Sequence, residues 1–357
     1  MKGLKLFTFA FFTYLFLMVC ANIFLKDRLY AVALPSHKIM SALIIALIFW
    51  GVLVLGYLKP IQFPEWVYWL LIFILSFALP IYGQLAVLVM FLLSREYNVF
   101  ERYAKFVLLG SILSILVLYS FEGIPFFQWG LRFRLVKPLV LFAFLSGISL
   151  TYCRLNWKLK ILALLILEVF FFLGTFRSLM LLVFLFYILP YYYENKLTFK
   201  QVLVALPIFL VVIYLSGNLE SLLVRVGFTF LVFHNIVSVS LPFGFFHGKL
   251  LLHSDPRWRV AFMFTLNSRY TYFLFGQPIA DFGVLGVIEA YLTGSLLKLS
   301  EVDEKTASVV LATLIYALES GIDAFVLSVL LLFGGVYSSE IQTKIRDRCK
   351  YTSTNPL

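Results

Sequence analysis

An all-α, polytopic transmembrane helix bundle is the fold class this sequence predicts. Three observations point to it. Hydrophobic residues are 62% of the 357 and charged ones only 13%, against roughly 45–50% and about 25% in soluble globular chains. The apolar excess is gathered into runs of about 20 residues, enough to cross a bilayer core of about 30 Å. One segment, 217–277, interrupts those runs with a concentration of basic residues and histidines.

The runs place helical spans at 4–25, 39–58, 66–93, 104–121, 138–153, 159–174, 178–193, 202–216, 278–298, 306–320 and 322–340. Lipid offers no water to backbone N–H and C=O groups, so open spanning segments are helices. The first run is long for a signal core and lacks a small-x-small cleavage site, so it reads as a retained helix. The third run splits in two if Leu79-Pro80-Ile81-Tyr82-Gly83 breaks it, giving about 11–12 spans. Arg95, Arg102 and Lys105, then Arg154, Lys158 and Lys160, then Lys196 and Lys200, then Lys344, Arg346, Arg348 and Lys350 fall on one side, counting spans four to eleven this way. Basic flanks stay in the cytoplasm. The 217–277 segment is then one large extracytoplasmic loop bearing amphipathic helices, on the same side as the turn at Arg177 and the loop 122–137. No repeat or linker divides the chain, so 1–357 reads as a single integral membrane domain, multi-pass in the cell membrane.

A net charge of +11 fits basic residues that flank spans and meet anionic lipid. No basic helix or aromatic–basic platform stands outside the spans, so nucleic acid is not an expected partner. Cys20, Cys153 and Cys349 form no CxxC and no Cys/His ligand spacing. The pattern asks for no disulfide framework, metal site or cofactor.

The candidates for chemistry cluster on the expected outer side. Arg177, in Gly-Thr-Phe-Arg-Ser, could present its five-donor fork to phosphate oxygens; it could equally be a snorkelling residue at a helix end. Arg225 lies in Leu-Glu-Ser-Leu-Leu-Val-Arg-Val-Gly-Phe-Thr-Phe-Leu-Val-Phe. There Leu222, Leu223, Val226, Phe230 and Phe233 could form the buried face of a helix on the membrane surface. Arg225 would sit near the bundle mouth, or be a solvated charge on the polar face. His247, His253 and Asp255 are near neighbours in sequence, and each histidine is a candidate general base. Arg257 and Arg259 flank Trp258 as headgroup, sugar or anchor contacts. Arg269 precedes a helix that Pro278 can open, its missing N–H costing nothing in the first turn. Asp281 in that turn is a further base candidate or a helix-start carboxylate favoured by the dipole. Gly283, Gly286 and Gly294 allow close packing. Glu168 and Glu289 are mid-helix, and Glu319 and Asp323 flank Gly321; ion pairs are the expected role of all four.

Ser-Arg-Tyr-Thr-Tyr-Phe-Leu-Phe-Gly-Gln-Pro-Ile-Ala-Asp-Phe-Gly-Val-Leu-Gly (268–286) resembles the C-terminal signature of the oligosaccharide repeat-unit polymerases of the O-antigen polymerase type. Thr271, Gly276, Gln277, Phe282, Gly283 and Gly286 carry the match. The Arg177 turn with its following span and basic loop, and Arg225 at the start of the large loop, resemble further features of that family. Glu319 and Asp323 stand where an Arg-Gly is often found. The related O-antigen ligases carry a His-Asn where this chain has Tyr272, which favours polymerase over ligase. The resemblance implies a glycosyltransferase working on polyprenyl-diphosphate-linked oligosaccharide at the outer face of the cytoplasmic membrane. It also implies membrane lipid as surroundings and a flippase and chain-length regulator as partners. Arg177, Arg225 and Arg269 would contact the diphosphate, with His247, His253 or Asp281 as base. A lipid-glycan flippase or transporter is the other class to weigh; it would gather charge at mid-membrane and show repeats, whereas most non-cytoplasmic charge here gathers at one face.

Overall fold

The computed structural model of the protein describes residues 1–25, 36–81, 83–85, 87–88, 99–128, 130–198, 219–262 and 271–343. In chain order they form α1 (Lys2–Phe24), α2 (Ser36–Leu58), α3 (Glu65–Ser76), α4 (Val99–Glu122), α5 (Leu131–Tyr152), α6 (Trp157–Leu173) and α7 (Arg177–Tyr193). Then come α8 (Leu219–Ser240), α9 (Pro256–Phe262), α10 (Gly276–Phe282), a 3₁₀ turn (Gly283–Gly286), α11 (Val287–Ser300), α12 (Glu304–Ser320) and α13 (Ala324–Leu330). A π-helical stretch (Leu331–Tyr337) extends α13. No strand occurs among the described residues. Seven stretches among them are long and apolar enough to cross a membrane: Lys2–Phe24, Lys38–Leu58, Glu101–Glu122, Leu131–Tyr152, Leu223–Ser240, Gly276–Ser300 and Ala324–Thr343. The protein is an all-α polytopic membrane bundle.

Two compact units make up the chain, Met1–Val89 with Asn218–Leu357, and Met90–Gly217. In the first, α1 is 23 residues long, about 34 Å at 1.5 Å per residue. Phe7, Phe11 and Met18 are buried in the bundle while Phe16 and Phe24 are exposed, the arrangement expected where the outer solvent is lipid rather than water. Asn22 joins α1 to α8 by donating to the carbonyl of Gly227 at 3.0 Å. The α2–α11 seam is tight. A Cβ added at Gly294 would lie 1.9 Å from the Leu53 carbonyl oxygen, and one at Gly56 2.1 Å from that of Tyr291. Small residues let the two backbones touch, and Ser295 donates across the seam to the Gly56 carbonyl at 3.2 Å.

Several element boundaries differ from the sequence expectation. Of the two readings of the run 66–93, the broken one holds: α3 ends at Ser76, and a turn at 77–79 leads into Pro80, whose ring and missing N–H disfavour helix before it. Helix α5 begins at Leu131 rather than at Pro138, which it holds in its interior, so the expected loop 122–137 shrinks. Helix α8 was expected to lie along the membrane surface with one face buried, as part of a large loop; instead consecutive residues Phe230, Leu231, Val232 and Phe233 are all buried, and Leu223–Ser240 is long and apolar enough to cross a membrane. Segment 276–300 breaks at Gly283, whose φ of 58° and ψ of −126° lie outside helix. A Cβ at Gly283 would sit 2.1 Å from the Pro242 carbonyl oxygen. Gly294 thus serves close helix packing as expected, while Gly283 makes a bend. The expected span 202–216 lies outside the described residues.

In the second unit, α5 and α7 are joined by Thr151, whose hydroxyl donates to the Phe186 carbonyl at 2.9 Å. Glu168 of α6 was expected to form an ion pair. Its carboxylate oxygens are instead covered and have no hydrogen-bond partner among the described residues.

Candidate functional site

Within the first unit, polar groups converge where α1, α8, α9 and the end of α12 meet the chain around 271–272 and 321–323. Arg225 of α8 makes an ion pair with Glu319 of α12 at 2.8 Å; their side chains are 37% and 26% exposed. That contact uses one N–H of a guanidinium that carries five. One turn on, the hydroxyl of Thr229 donates to the Arg225 carbonyl at 3.1 Å and lies 3.2 Å from the hydroxyl of Thr271. Tyr14 of α1 stands beside Thr229, Arg225 and Glu319. Its ring stacks on Phe273 at 6.1 Å with an interplanar angle of 4°.

The far side of the turn is arranged in parallel. Asp323 caps α13 by accepting from Val326 N–H at 2.9 Å. It also neighbours Arg257 of α9, which interacts with Tyr316. Burial works against the Arg257 charge, but Tyr316, Asp323 and Tyr272 outweigh it and raise the guanidinium's pKa. Tyr272 closes the space between, donating from its hydroxyl to the Ile322 carbonyl at 3.2 Å. Gly321 has a φ of 75° and lies against the Tyr272 ring, where a Cβ would come within 2.1 Å. Glu319 and Asp323 therefore meet basic residues of the 217–277 segment, as their flanking of Gly321 suggested.

Asp281 sits at the end of α10, fully buried. It accepts from Leu250 N–H at 2.9 Å, Leu251 N–H at 2.8 Å and the Gln277 side chain at 2.9 Å. Two further amides, of Phe245 and Phe246, donate to the Ala280 carbonyl at 2.7 and 2.9 Å. The 244–252 loop is thus hung on α10 largely through main-chain donors. His247, exposed and with a φ of 50°, lies on this loop. His253 is half-buried, and its Nδ1 accepts from Asp255 N–H at 2.9 Å. Asp255 in turn accepts from Trp258 N–H at 3.3 Å, and it faces Asp323.

Arg177 belongs to the second unit, as the first residue of α7. A tight turn presents it: Thr175 has a φ of 62°, Phe176 N–H donates to Phe171 at 3.0 Å, and Tyr119 donates to the Phe170 carbonyl at 2.8 Å. Arg132 lies over the Phe176 ring at 5.3 Å, and Arg134 pairs with Glu122 at 3.0 Å. Arg269 falls outside the described residues. Among the described residues, no three His, Cys, Asp or Glu side chains gather as a metal-binding group.

The short signature of the sequence thus returns at the site, since Thr271 is bonded to the turn of α8 that carries Arg225. A model of the family described as putative O-antigen polymerase matches residues 6–333, a range that contains every group named above. The chain belongs to the O-antigen polymerase family. It is a membrane polymerase of the O-antigen type, a glycosyltransferase-like enzyme. No curated protein and no solved structure matches it.

Set against the O-antigen polymerase signature, the structure brings Arg225 together with Thr271, and Gln277 together with Asp281. The site also contains residues that sequence reasoning passed over. Tyr14 and Asn22 sit inside an apolar span with no motif around them, and Thr229 is an ordinary helix hydroxyl. Glu289, which was expected in an ion pair, has one carboxylate oxygen without a partner among the described residues and lies near Gln277 and Asp281. A polar residue inside an apolar run was the one signal available for Asn22 and Glu289.

Proposed function

We propose that this protein joins polyprenyl-diphosphate-linked oligosaccharide repeat units into a surface polysaccharide at the outer face of the cytoplasmic membrane. A hydroxyl of the acceptor unit attacks the anomeric carbon of the donor glycan. The new glycosidic C–O bond forms as the bond to the diphosphate breaks. The hydroxyl proton goes to a base, and polyprenyl diphosphate leaves with the bond's electron pair.

The observation that carries this reading is Arg225: one-third exposed, one N–H engaged by Glu319, and tied through Thr229 to the family's Thr271. A fixed guanidinium beside the leaving group stabilises negative charge as it develops, and does so better where water is scarce. The family resemblance implies the same role for Arg177 and for Arg269. For the base, His253 keeps Nε2 after its Nδ1 is engaged by Asp255, and His247 is open to solvent. Asp281 is less suited, because both carboxylate oxygens already accept hydrogen bonds; we assign it to holding the loop that bears His247. A flippase and a chain-length regulator are the partners such a reaction calls for.

The test is reconstitution. Purified protein in vesicles, given lipid-linked repeat units, should yield a ladder of glycans. Products that stay at one repeat unit while the lipid changes leaflet would replace this reading with a flippase.

A further inference from the structure

We propose that Tyr14 of α1 is a second ligand for the diphosphate beside Arg225, and that Glu319 is a resident counter-ion which the diphosphate replaces. This rests on the reading of the Arg225 site given above.

The hydroxyl of Tyr14 is enclosed and has no partner of full hydrogen-bond geometry among the described residues; the Thr229 hydroxyl is its nearest companion, with Arg225 and Glu319 beside them. Buried polar groups in folded proteins are almost always well partnered, so a donor offered nothing better than a neighbouring hydroxyl, at the edge of a charged cluster, marks where a stronger acceptor fits. Its ring cannot easily swing elsewhere, since Phe273 stacks flat against it. The hydroxyl of Thr229 is committed to the Arg225 carbonyl and to Thr271. Arg225 likewise keeps N–H groups beyond the one given to Glu319.

What these donors lack is a compact group made only of acceptors. An ionised phosphate is one. Glu319 occupies part of that place in the resting site. A carboxylate there orients the guanidinium and balances its charge near lipid, where a lone charge is costly. Because Arg225 and Glu319 are both partly exposed, they can separate without burying an unpaired charge. A diphosphate brings more negative charge than one carboxylate and reaches the Tyr14 hydroxyl as well, so it wins the exchange. After transfer, Glu319 returns to Arg225 and helps expel polyprenyl diphosphate. The carboxylate thus tunes turnover by weakening product binding.

Two near-isosteric variants test this in the reconstituted full chain, read as KM for the lipid-linked repeat unit, kcat, and inhibition by polyprenyl diphosphate. Tyr14→Phe keeps the stacked ring and should raise KM about tenfold, the scale of one hydrogen bond to a charged group. Glu319→Gln should tighten inhibition by polyprenyl diphosphate severalfold and lower kcat, because product leaves slowly. Inorganic diphosphate should compete, whereas more phosphatidylglycerol in the vesicles should not. The proposal is overturned if Tyr14→Phe has the wild-type KM, if Glu319→Gln binds product no more tightly than wild type, or if phosphatidylglycerol competes and diphosphate does not. These failures would appear with a wild-type protein that still polymerises. A wild type that makes no ladder would instead remove the underlying reading.

Discussion

The start and the middle of α1 face opposite kinds of charge. Near its start, Glu301 is saturated. It accepts from Tyr57 at 2.6 Å, from the Gly3 amide at 3.1 Å, from Lys298 at 3.2 Å and from the terminal amine of Met1 at 3.3 Å. Its side chain is only 12% exposed. Deeper along the same helix, Tyr14 borders Arg225, whose fork is part-exposed and, among the described residues, pairs with Glu319 through one nitrogen. Burial alone would push Glu301 up, yet the donors around it hold its carboxyl below the ordinary glutamate range. A charge whose every valence is met locks helices together. A charge with valences left over is available to something else. The contrast separates scaffold from site without reference to motifs.

Substitutions can break or sharpen the contrast. The largest effect is expected at the open charge. Arg225→Ala should cut polymerisation about 10²–10³-fold, the scale of removing one preorganised donor to a developing anion, with thermal stability close to wild type. Loss of folding instead would place Arg225 among the scaffold charges. Next comes Asp281→Asn, which turns an acceptor facing the Leu250 and Leu251 amides into a donor on one side. It should cost ~1–3 kcal/mol and loosen the loop, seen as faster proteolysis or amide exchange across 244–252. Unchanged exchange together with lost activity would return Asp281 to the list of bases. Glu301→Gln should lower stability by ~1–2 kcal/mol and leave KM for the repeat unit alone, a shift in KM being the result that contradicts its structural role. The smallest effect is pH. With the folded-state pKa of Glu301 depressed below its ordinary value of 4.5, the stability it supplies is complete above that value. It fades as pH falls through the lowered one. Melting curves from pH 7 to pH 3 should show an acid-side loss in wild type that Glu301→Gln lacks.

Much of the architecture was legible in the sequence because lipid imposes a coarse rule. Long apolar runs must be helical, and α1, α2 and α4 fall close to where those runs lie. The pairing of Glu319 with a basic residue of the 217–277 segment was legible too, since two carboxylates around a glycine turn need counter-charges. Boundaries set by tertiary contact were not. The break at Gly283 answers the nearby carbonyl of Pro242, and nothing in the local pattern shows that approach. The anchoring of Asp281 was hidden for a similar reason, because its loop donors are backbone amides, which every sequence has. Tyr14 could not be found at all from composition. A tyrosine in a phenylalanine-rich span looks like packing until the distant helix that faces it is known.

The paired glycines of α2 and α11 bear on how a lipid-linked oligosaccharide reaches such a site. With Gly56 and Gly294 bringing main chain against main chain, the seam at those contacts leaves no room for a lipid tail to slip through from the bilayer. The two helices must travel as one wall. Substrate entry and the exit of a lengthening glycan therefore have to use some other flank of the bundle.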